Sequence, residues 1–312
     1  MSLTVFLFPG QGSQFAGMGK SLAESFPVAH QTFLEADAVL GFPLSQLCWQ
    51  GPEEELKRTE NTQPAMLTVS VAAWRVLQEK GITAQFVAGH SLGEYSALVA
   101  AGSLEFTDAV RLVRNRGRYM QEAVPVGAGA MSAILRLPEG KLEALLAEAA
   151  QGEVVTAANL NSPDQVVIAG HTAAIARAGE LAKAAGAKRV ISLPVSAPFH
   201  CPLMKPAQER LAVDLEATVF GDLTLPLVNN WQAREIRSGA EARKGLIEQV
   251  SNPVRWIEII RYLAAKGVTR GIEAGAGAVL CGMVRSIDSS MECMKFSEAV
   301  DWEKLALRPW SR

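Results

Sequence analysis

The 312-residue chain is short of aromatic side chains (6%), has only four cysteines and four histidines, and carries a net charge of only −2. No stretch approaches the ~18 consecutive apolar residues of a membrane span. The N-terminal apolar run has no basic residues before it and breaks at Pro9, so neither a membrane segment nor a secretory leader is expected. Cys48, Cys201, Cys281 and Cys293 show neither C-x-x-C nor metal-ligand spacing, which favours reduced thiols, a cytoplasmic location and no metal. The near-balance of charge points to neither nucleic acid nor a membrane surface as partner. G-x-x-x-x-G-K-[ST] and G-x-G-x-x-G are both missing, which argues against a bound nucleotide. Linkers, low-complexity segments and internal repeats are also missing. What is present is 49% hydrophobic residues, rich in alanine and other helix formers, long enough for one large domain or two.

The most informative stretch runs from Val87 to Leu98. A short apolar strand stops at Gly89-His90-Ser91-Leu92-Gly93, and an amphipathic helix is expected beyond it. G-x-S-x-G is the pattern of a nucleophile elbow, in which glycines let a serine sit on a tight strand-to-helix turn. The free N–H groups at the start of the following helix, Leu92's among them, point to where charge would collect on a carbonyl attacked by Ser91. The plain alternative is a Gly-rich turn in an ordinary strand–helix unit. Strand 3–8 enters a second Gly-rich turn, Pro9-Gly10-Gln11-Gly12-Ser13-Gln14, at the same end of the sheet, making Gln11 the candidate second oxyanion donor.

Helices at 28–39 and, after Asn61-Thr62-Gln63-Pro64, at 65–79, precede strand 86–88, giving the β/α alternation of an α/β fold. In the helix expected at 107–123, Arg111, Arg114 and Arg118 share one face, whereas Arg116 falls within the opposite apolar stripe. A buried arginine needs an anion in its fork, supplied either by an internal acid or by a substrate. Residues 126–197 then read as βαββαβ, a small ferredoxin-like α+β domain inserted into a large α/β-hydrolase-like domain with a parallel sheet, formed by 1–125 and 198–312. The chain re-enters the large domain through Ser196-Ala197-Pro198-Phe199-His200-Cys201-Pro202. Strands at 225–229, 271–273 and 292–296 and helices at 254–266 and 278–287 complete it. A lone histidine is more often structural, but Ser91 needs a base, and His30, His90 and His171 are worse placed than His200.

With Gln11, Ser91, Arg116 and His200 assembled, the sequence resembles the malonyl-CoA:acyl carrier protein transacylases over almost its whole length. The resemblance rests on Phe8-Pro9-Gly10-Gln11-Gly12-Ser13-Gln14, Gly89-His90-Ser91-Leu92-Gly93-Glu94, Arg116-Gly117, Ala158-Asn159-Leu160-Asn161-Ser162-Pro163 and Gln249-Val250-Ser251-Asn252-Pro253-Val254, in that order. It implies a malonyl-serine intermediate on Ser91, His200 as base, and Arg116 holding the malonyl carboxylate. The backbone amides of Gln11 and Leu92 would form the oxyanion hole, and Gln249 would orient His200 through its backbone carbonyl. Phe199 is similar to the residue of malonyl-selective polyketide acyltransferase domains that crowds out a 2-methyl branch. Gly275-Ala276-Gly277 departs from the family's usual Gly-Pro-Gly. A monomer is expected, acting on malonyl-CoA and acyl carrier protein, with no bound cofactor and coenzyme A thioester as substrate. The resemblance implies supply of fatty acid synthesis; the rival readings are a malonyl acyltransferase serving polyketide synthesis, a serine hydrolase or thioesterase, and a carrier-binding module.

Overall fold

The computed structural model of the protein describes residues 3–195 and 197–308. The outermost residues of both large-domain ranges (1, 2 and 309–312), and Ser196 of the re-entry segment, lie outside the described residues.

Among the described residues ten strands form two sheets. They are β1 (Leu3–Phe8), β2 (Phe86–Gly89), β3 (Gly129–Leu135), β4 (Val155–Ser162), β5 (Gln165–His171), β6 (Arg189–Ser192), β7 (Leu227–Val228), β8 (Glu235–Ile236), β9 (Val268–Ala274) and β10 (Glu292–Phe296). The large sheet runs β10-β9-β1-β2-β7-β8, parallel except for the short β7/β8 pair at one edge. Side chains alternate across β1: Phe6 and Phe8 enter the larger apolar core, Val5 and Leu7 a second core around Trp256 on the other face. Both faces are covered, which is why β1 reads as an apolar run from Val5 to Phe8. β1 has β2 on one side and β9 on the other, so connections leave in opposite directions and open a crevice at the strands' carboxyl ends. Phe8 pairs in register with Gly89, bringing the Gln11 turn and the Ser91 elbow side by side at that crevice.

The second sheet is antiparallel, in the order β4-β5-β3-β6. For a βαββαβ segment this is the ferredoxin-like arrangement. Its helices Leu142–Ala150 and Thr172–Ala184 close a small core of their own with Ile134, Val155 and Ile168. The opposite face, including Met131, Ala133, Val167 and Ala169, joins the main core. Backbone bonds from Leu160 N to Val254 O and from Val254 N to Ala158 O, both 2.9 Å, tie β4 to the segment after Gln249.

Several elements differ from the sequence reading. The helix expected at 65–79 spans Thr59–Glu79, with Pro64 inside it. Proline has no N–H to give to the carbonyl of residue 60, and Arg114 Nη1 donates to that carbonyl instead at 2.8 Å. The helix after the elbow, Gly93–Ala100, is buried on every side and so is not amphipathic. Helix Gly239–Gln249 was not anticipated, although Ser238 caps it by accepting from Glu241 N, and Ser238/Glu241 have capping-box spacing. Cys281 and Cys293 were expected as reduced thiols; they form a disulfide, because helix Val279–Ile287 folds back beside β10 and brings their Cα atoms within 5.1 Å. Cys48 and Cys201 are free and buried. Among the described residues no helix is long and apolar enough to cross a membrane.

Candidate active site

The elbow depends on its two glycines because of close backbone approach. A Cβ on Gly93 would lie 2.0 Å from the carbonyl oxygen of Phe8, and one on Gly89 would lie 2.0 Å from the carbonyl of Gly93. Between them Ser91 adopts a left-handed conformation, φ 51°, the kind of local strain that functional turns retain. Asn230, just beyond β7, braces this turn. Its side-chain oxygen accepts from Ser91 N at 2.7 Å, and its amide donates to Gly89 O at 2.7 Å.

His200 reaches Ser91 from the re-entry segment, also in a left-handed conformation (φ 57°). Its Nε2 lies 2.6 Å from Ser91 Oγ, and its Nδ1 lies 2.9 Å from the backbone carbonyl of Gln249. A carbonyl only accepts, so Nδ1 carries the proton and Nε2 presents its lone pair to the Ser91 hydroxyl. Burial, and next the positive charge of Arg116, hold the His200 imidazole down to about 3. The ring is therefore neutral at neutral pH, the state in which it can take a proton.

Arg116 lies in helix Phe106–Glu122, 2% exposed. Nη1 donates to Gln63 Oε1 at 2.8 Å, while Nη2 donates to Gln249 Oε1 at 2.9 Å and to Ser91 Oγ at 3.2 Å. These partners are all uncharged, and Nε has none. Of the two anions the sequence left open, an internal acid is not in contact with the fork among the described residues. The guanidinium also lies 5.7 Å above the ring of Tyr95.

The structure thus joins Ser91, His200, Arg116 and Gln249 in one hydrogen-bonded group. Leu92 is buried beside Ser91, and Gln11 lies across the β1/β2 register, its side chain donating to Thr59 Oγ1 at 3.3 Å. Phe199 precedes His200 and is buried in the main core. The other histidines are engaged elsewhere or remote. His90 turns away from the elbow to Asn161 Oδ1 (2.8 Å), and His171 Nδ1 accepts from Val154 N (2.9 Å). His30 sits in helix Pro27–Leu40, stacked on Trp49.

Sequence reasoning missed three members of this group: Gln63, Glu94 and Asn230. Gln63 was hidden by Pro64, which made its segment read as a loop. Glu94 is the sixth residue of the elbow motif and buried, yet a glutamate opening a helix ordinarily passes as a favourable charge at the N-terminus. Asn230 carried no signal beyond its place after a strand.

A neutral histidine aimed at an elbow serine, with a buried guanidinium beside the serine hydroxyl, defines an acyl-transferring serine enzyme on an α/β fold. The acyl transferase domain family matches residues 5–301. The malonyl CoA-acyl carrier protein transacylase of Escherichia coli strain K12 is 50% identical over 299 residues, 96% of this chain and 97% of that protein. Among solved structures, an acyl carrier protein S-malonyltransferase from Vibrio cholerae superposes with a TM-score of 0.95 at 46% identity, covering 97% of this chain and 100% of that one. A malonyl-transacylase in complex with a type II PKS acyl-carrier protein gives 0.95 at 49% identity, covering 97% and 98%. The chain belongs to the acyl transferase domain family, among the malonyl CoA-acyl carrier protein transacylases.

Proposed function

We propose that this enzyme moves the malonyl group of malonyl-CoA to the pantetheine thiol of acyl carrier protein through a malonyl ester on Ser91, supplying fatty acid synthesis. The observation that carries the reading is the arrangement at Ser91 Oγ, with a neutral imidazole nitrogen at 2.6 Å and an arginine without a carboxylate partner at 3.2 Å. His200 takes the hydroxyl proton as Ser91 attacks the thioester, and the N–H groups of Leu92 and Gln11 stabilise the oxyanion. Coenzyme A leaves as the thiol, taking the proton from His200. The carrier thiol then gives its proton to His200 and attacks the ester, and Ser91 Oγ leaves with that proton, restoring the hydroxyl and the neutral imidazole. The Gln249 carbonyl keeps His200 in its tautomer throughout. The malonyl carboxylate enters the Arg116 fork through charge-assisted hydrogen bonds. Ser91, His200 and these donors supply every group the two half-reactions require, so coenzyme A is a substrate and no bound cofactor is called for.

We place the reaction in the cytoplasm, carried out by a monomer, with residues 126–197 as an inserted domain and 1–125 with 198–312 as the catalytic one. The separate apolar core of the small sheet supports that division. A polyketide carrier is the second reading, favoured by the structural relative solved with a type II PKS acyl-carrier protein. The test is malonyl-CoA consumption with no carrier, with a fatty acid carrier and with a polyketide carrier. Transfer is expected to need a carrier and to be fastest with the fatty acid one; steady malonyl-CoA loss without any carrier would mean a hydrolase.

Two further outcomes follow. Because His200 is held well below its ordinary 6.5, kcat/KM for acylation should keep its neutral-pH value below pH 6 and fall only on approach to its lowered value of about 3. Below pH 6.5 the unfolded chain takes up a proton that buried His200 does not, so stability falls as pH drops through this window. Rapid-quench acylation after brief pH jumps keeps the two effects apart; an acid limb near 6.5 would remove His200 as a buried base. Phe199, beside the base, is expected to crowd a branch at the malonyl C2. Phe199→Ser should raise the methylmalonyl-CoA to malonyl-CoA rate ratio by the ~1–3 kcal/mol that one methyl group is worth in such discrimination. An unchanged ratio would move selectivity elsewhere.

A further inference from the structure

Glu94 is fully buried, and one of its carboxyl oxygens, Oε1, has no hydrogen-bond partner. The other, Oε2, accepts from Gln249 Nε2 at 2.8 Å and from Asn230 N at 3.1 Å. Gln249 stands between this carboxyl and the arginine: with its NH2 committed to Glu94 and to Ser91 O (3.0 Å), its Oε1 faces Arg116 Nη2 at 2.9 Å. An amide has one accepting and one donating end. Turned over, Gln249 would set an NH2 against guanidinium N–H groups and an oxygen against the carboxyl, two repulsive contacts in a site without water-like screening. Ser91 O at 3.0 Å and Asn230 Oδ1 at 3.4 Å accept from the same Nε2 and favour the same orientation, and Glu94 Oε2 is the shortest of the three contacts.

We propose that Glu94 is a positioning residue for acyl selectivity: by accepting from Gln249 Nε2 it fixes the amide that aims the Arg116 fork at Ser91, and so sets the preference for acyl groups that end in a carboxylate. The proposal deepens, and rests on, the reading of Arg116 as the carboxylate clamp. Burial raises the Glu94 carboxyl to about 7, yet Oε2 accepts whether or not the other oxygen is protonated, so accepting capacity is what matters. His200 is held by the Gln249 backbone rather than by its side chain, and any loosening of the Ser91 turn through Asn230, which Glu94 also holds, slows both acyl substrates alike and leaves their ratio unchanged.

The test is the ratio of malonyl-CoA to acetyl-CoA kcat/KM in Glu94→Ala, Glu94→Met and Glu94→Gln, with Arg116→Ala as reference. Met fills the space and accepts nothing, whereas Gln keeps an oxygen at the Oε2 position. The expected result is a fall of at least tenfold in the ratio for Ala and Met and a ratio within threefold of the parent for Gln. Gln249→Met, which removes the amide and retains the backbone carbonyl on His200, should match Glu94→Met and covers the case in which the Glu94 variants do not fold. A ratio unchanged in Glu94→Met or Gln249→Met, or a Gln variant as impaired as Met, overturns the proposal. If Arg116→Ala itself leaves the ratio unchanged, the clamp reading has failed; if only the Glu94 and Gln249 variants do, the clamp stands and Glu94 serves packing alone.

Discussion

Replacing Arg116 with alanine should divide the substrates: malonyl transfer falls by about 2–5 kcal/mol in transition-state stabilisation, ~30-fold to several thousand-fold, while acetyl transfer changes far less. The fork is buried, hydrogen-bonds only amides and a hydroxyl, and lies 3.2 Å from Ser91 Oγ, the proposed site of acylation. A carboxylate arriving there meets a guanidinium not already neutralised by contact with an acid, whereas an acetyl group leaves it without its anion. Removing Arg116 also strands the Gln63 and Gln249 amide oxygens, at ~1–3 kcal/mol for each buried group left unsatisfied. That loss acts on the fold and reaches both substrates alike. The ratio of malonyl-CoA to acetyl-CoA kcat/KM, measured with the melting temperature, therefore isolates the clamp. Arg116→Lys should rescue poorly, because a lysine has no planar fork for Gln63, Gln249 and a carboxylate together. Equal losses for the two substrates with a lowered melting temperature would make Arg116 a structural residue.

The second large effect is at the base. His200→Ala should slow acyl-enzyme formation by about 10²–10⁴-fold, the usual contribution of a positioned general base. Ser91→Ala should abolish it, and combining the two should cost little beyond Ser91→Ala alone, since the pair acts as a unit. Both variants should retain the fold: the elbow is held by Gly89, Gly93 and Asn230, and the serine hydroxyl makes no contact outside the site. Single-turnover mixing of each variant with malonyl-CoA gives the rates. Near-normal acylation without His200 would require a different base, and His90, bonded to Asn161 and packed edge-on against Trp256, is not in position to serve.

How much of this was legible in the sequence depended on how locally each feature is encoded. Ser91 was legible because an elbow needs its glycines within two residues of the nucleophile. Arg116 was legible because a charge in an apolar stripe violates a periodicity that seventeen helical residues repeat. The ferredoxin-like strand order was legible because alternation and turns fix βαββαβ before any tertiary contact forms. Gln63 was not, since proline is ordinarily a stop and here is absorbed into the second turn of a buried helix, its missing bond replaced by Arg114 from another helix. The helix after the elbow is expected to be amphipathic, yet its polar residues Glu94 and Ser96, two apart, fall on nearly opposite sides of the helix and both lie in the interior. The Cys281–Cys293 pair was invisible for a related reason. Twelve residues of separation say nothing until the helix between them has folded back on its strand. Contacts made by distant segments, such as Asn230 on Ser91 and Gln249 on His200, could be named only where the family resemblance supplied them.

The central claim is that Ser91 carries the malonyl group between two thiols. It is tested most directly by intact-protein and peptide mass spectrometry after seconds of exposure to malonyl-CoA. One malonyl group per chain is expected, located on the peptide containing Ser91, absent in Ser91→Ala and discharged on addition of holo-acyl carrier protein. Label on another residue, or turnover to malonyl-carrier with no covalent intermediate, would contradict it.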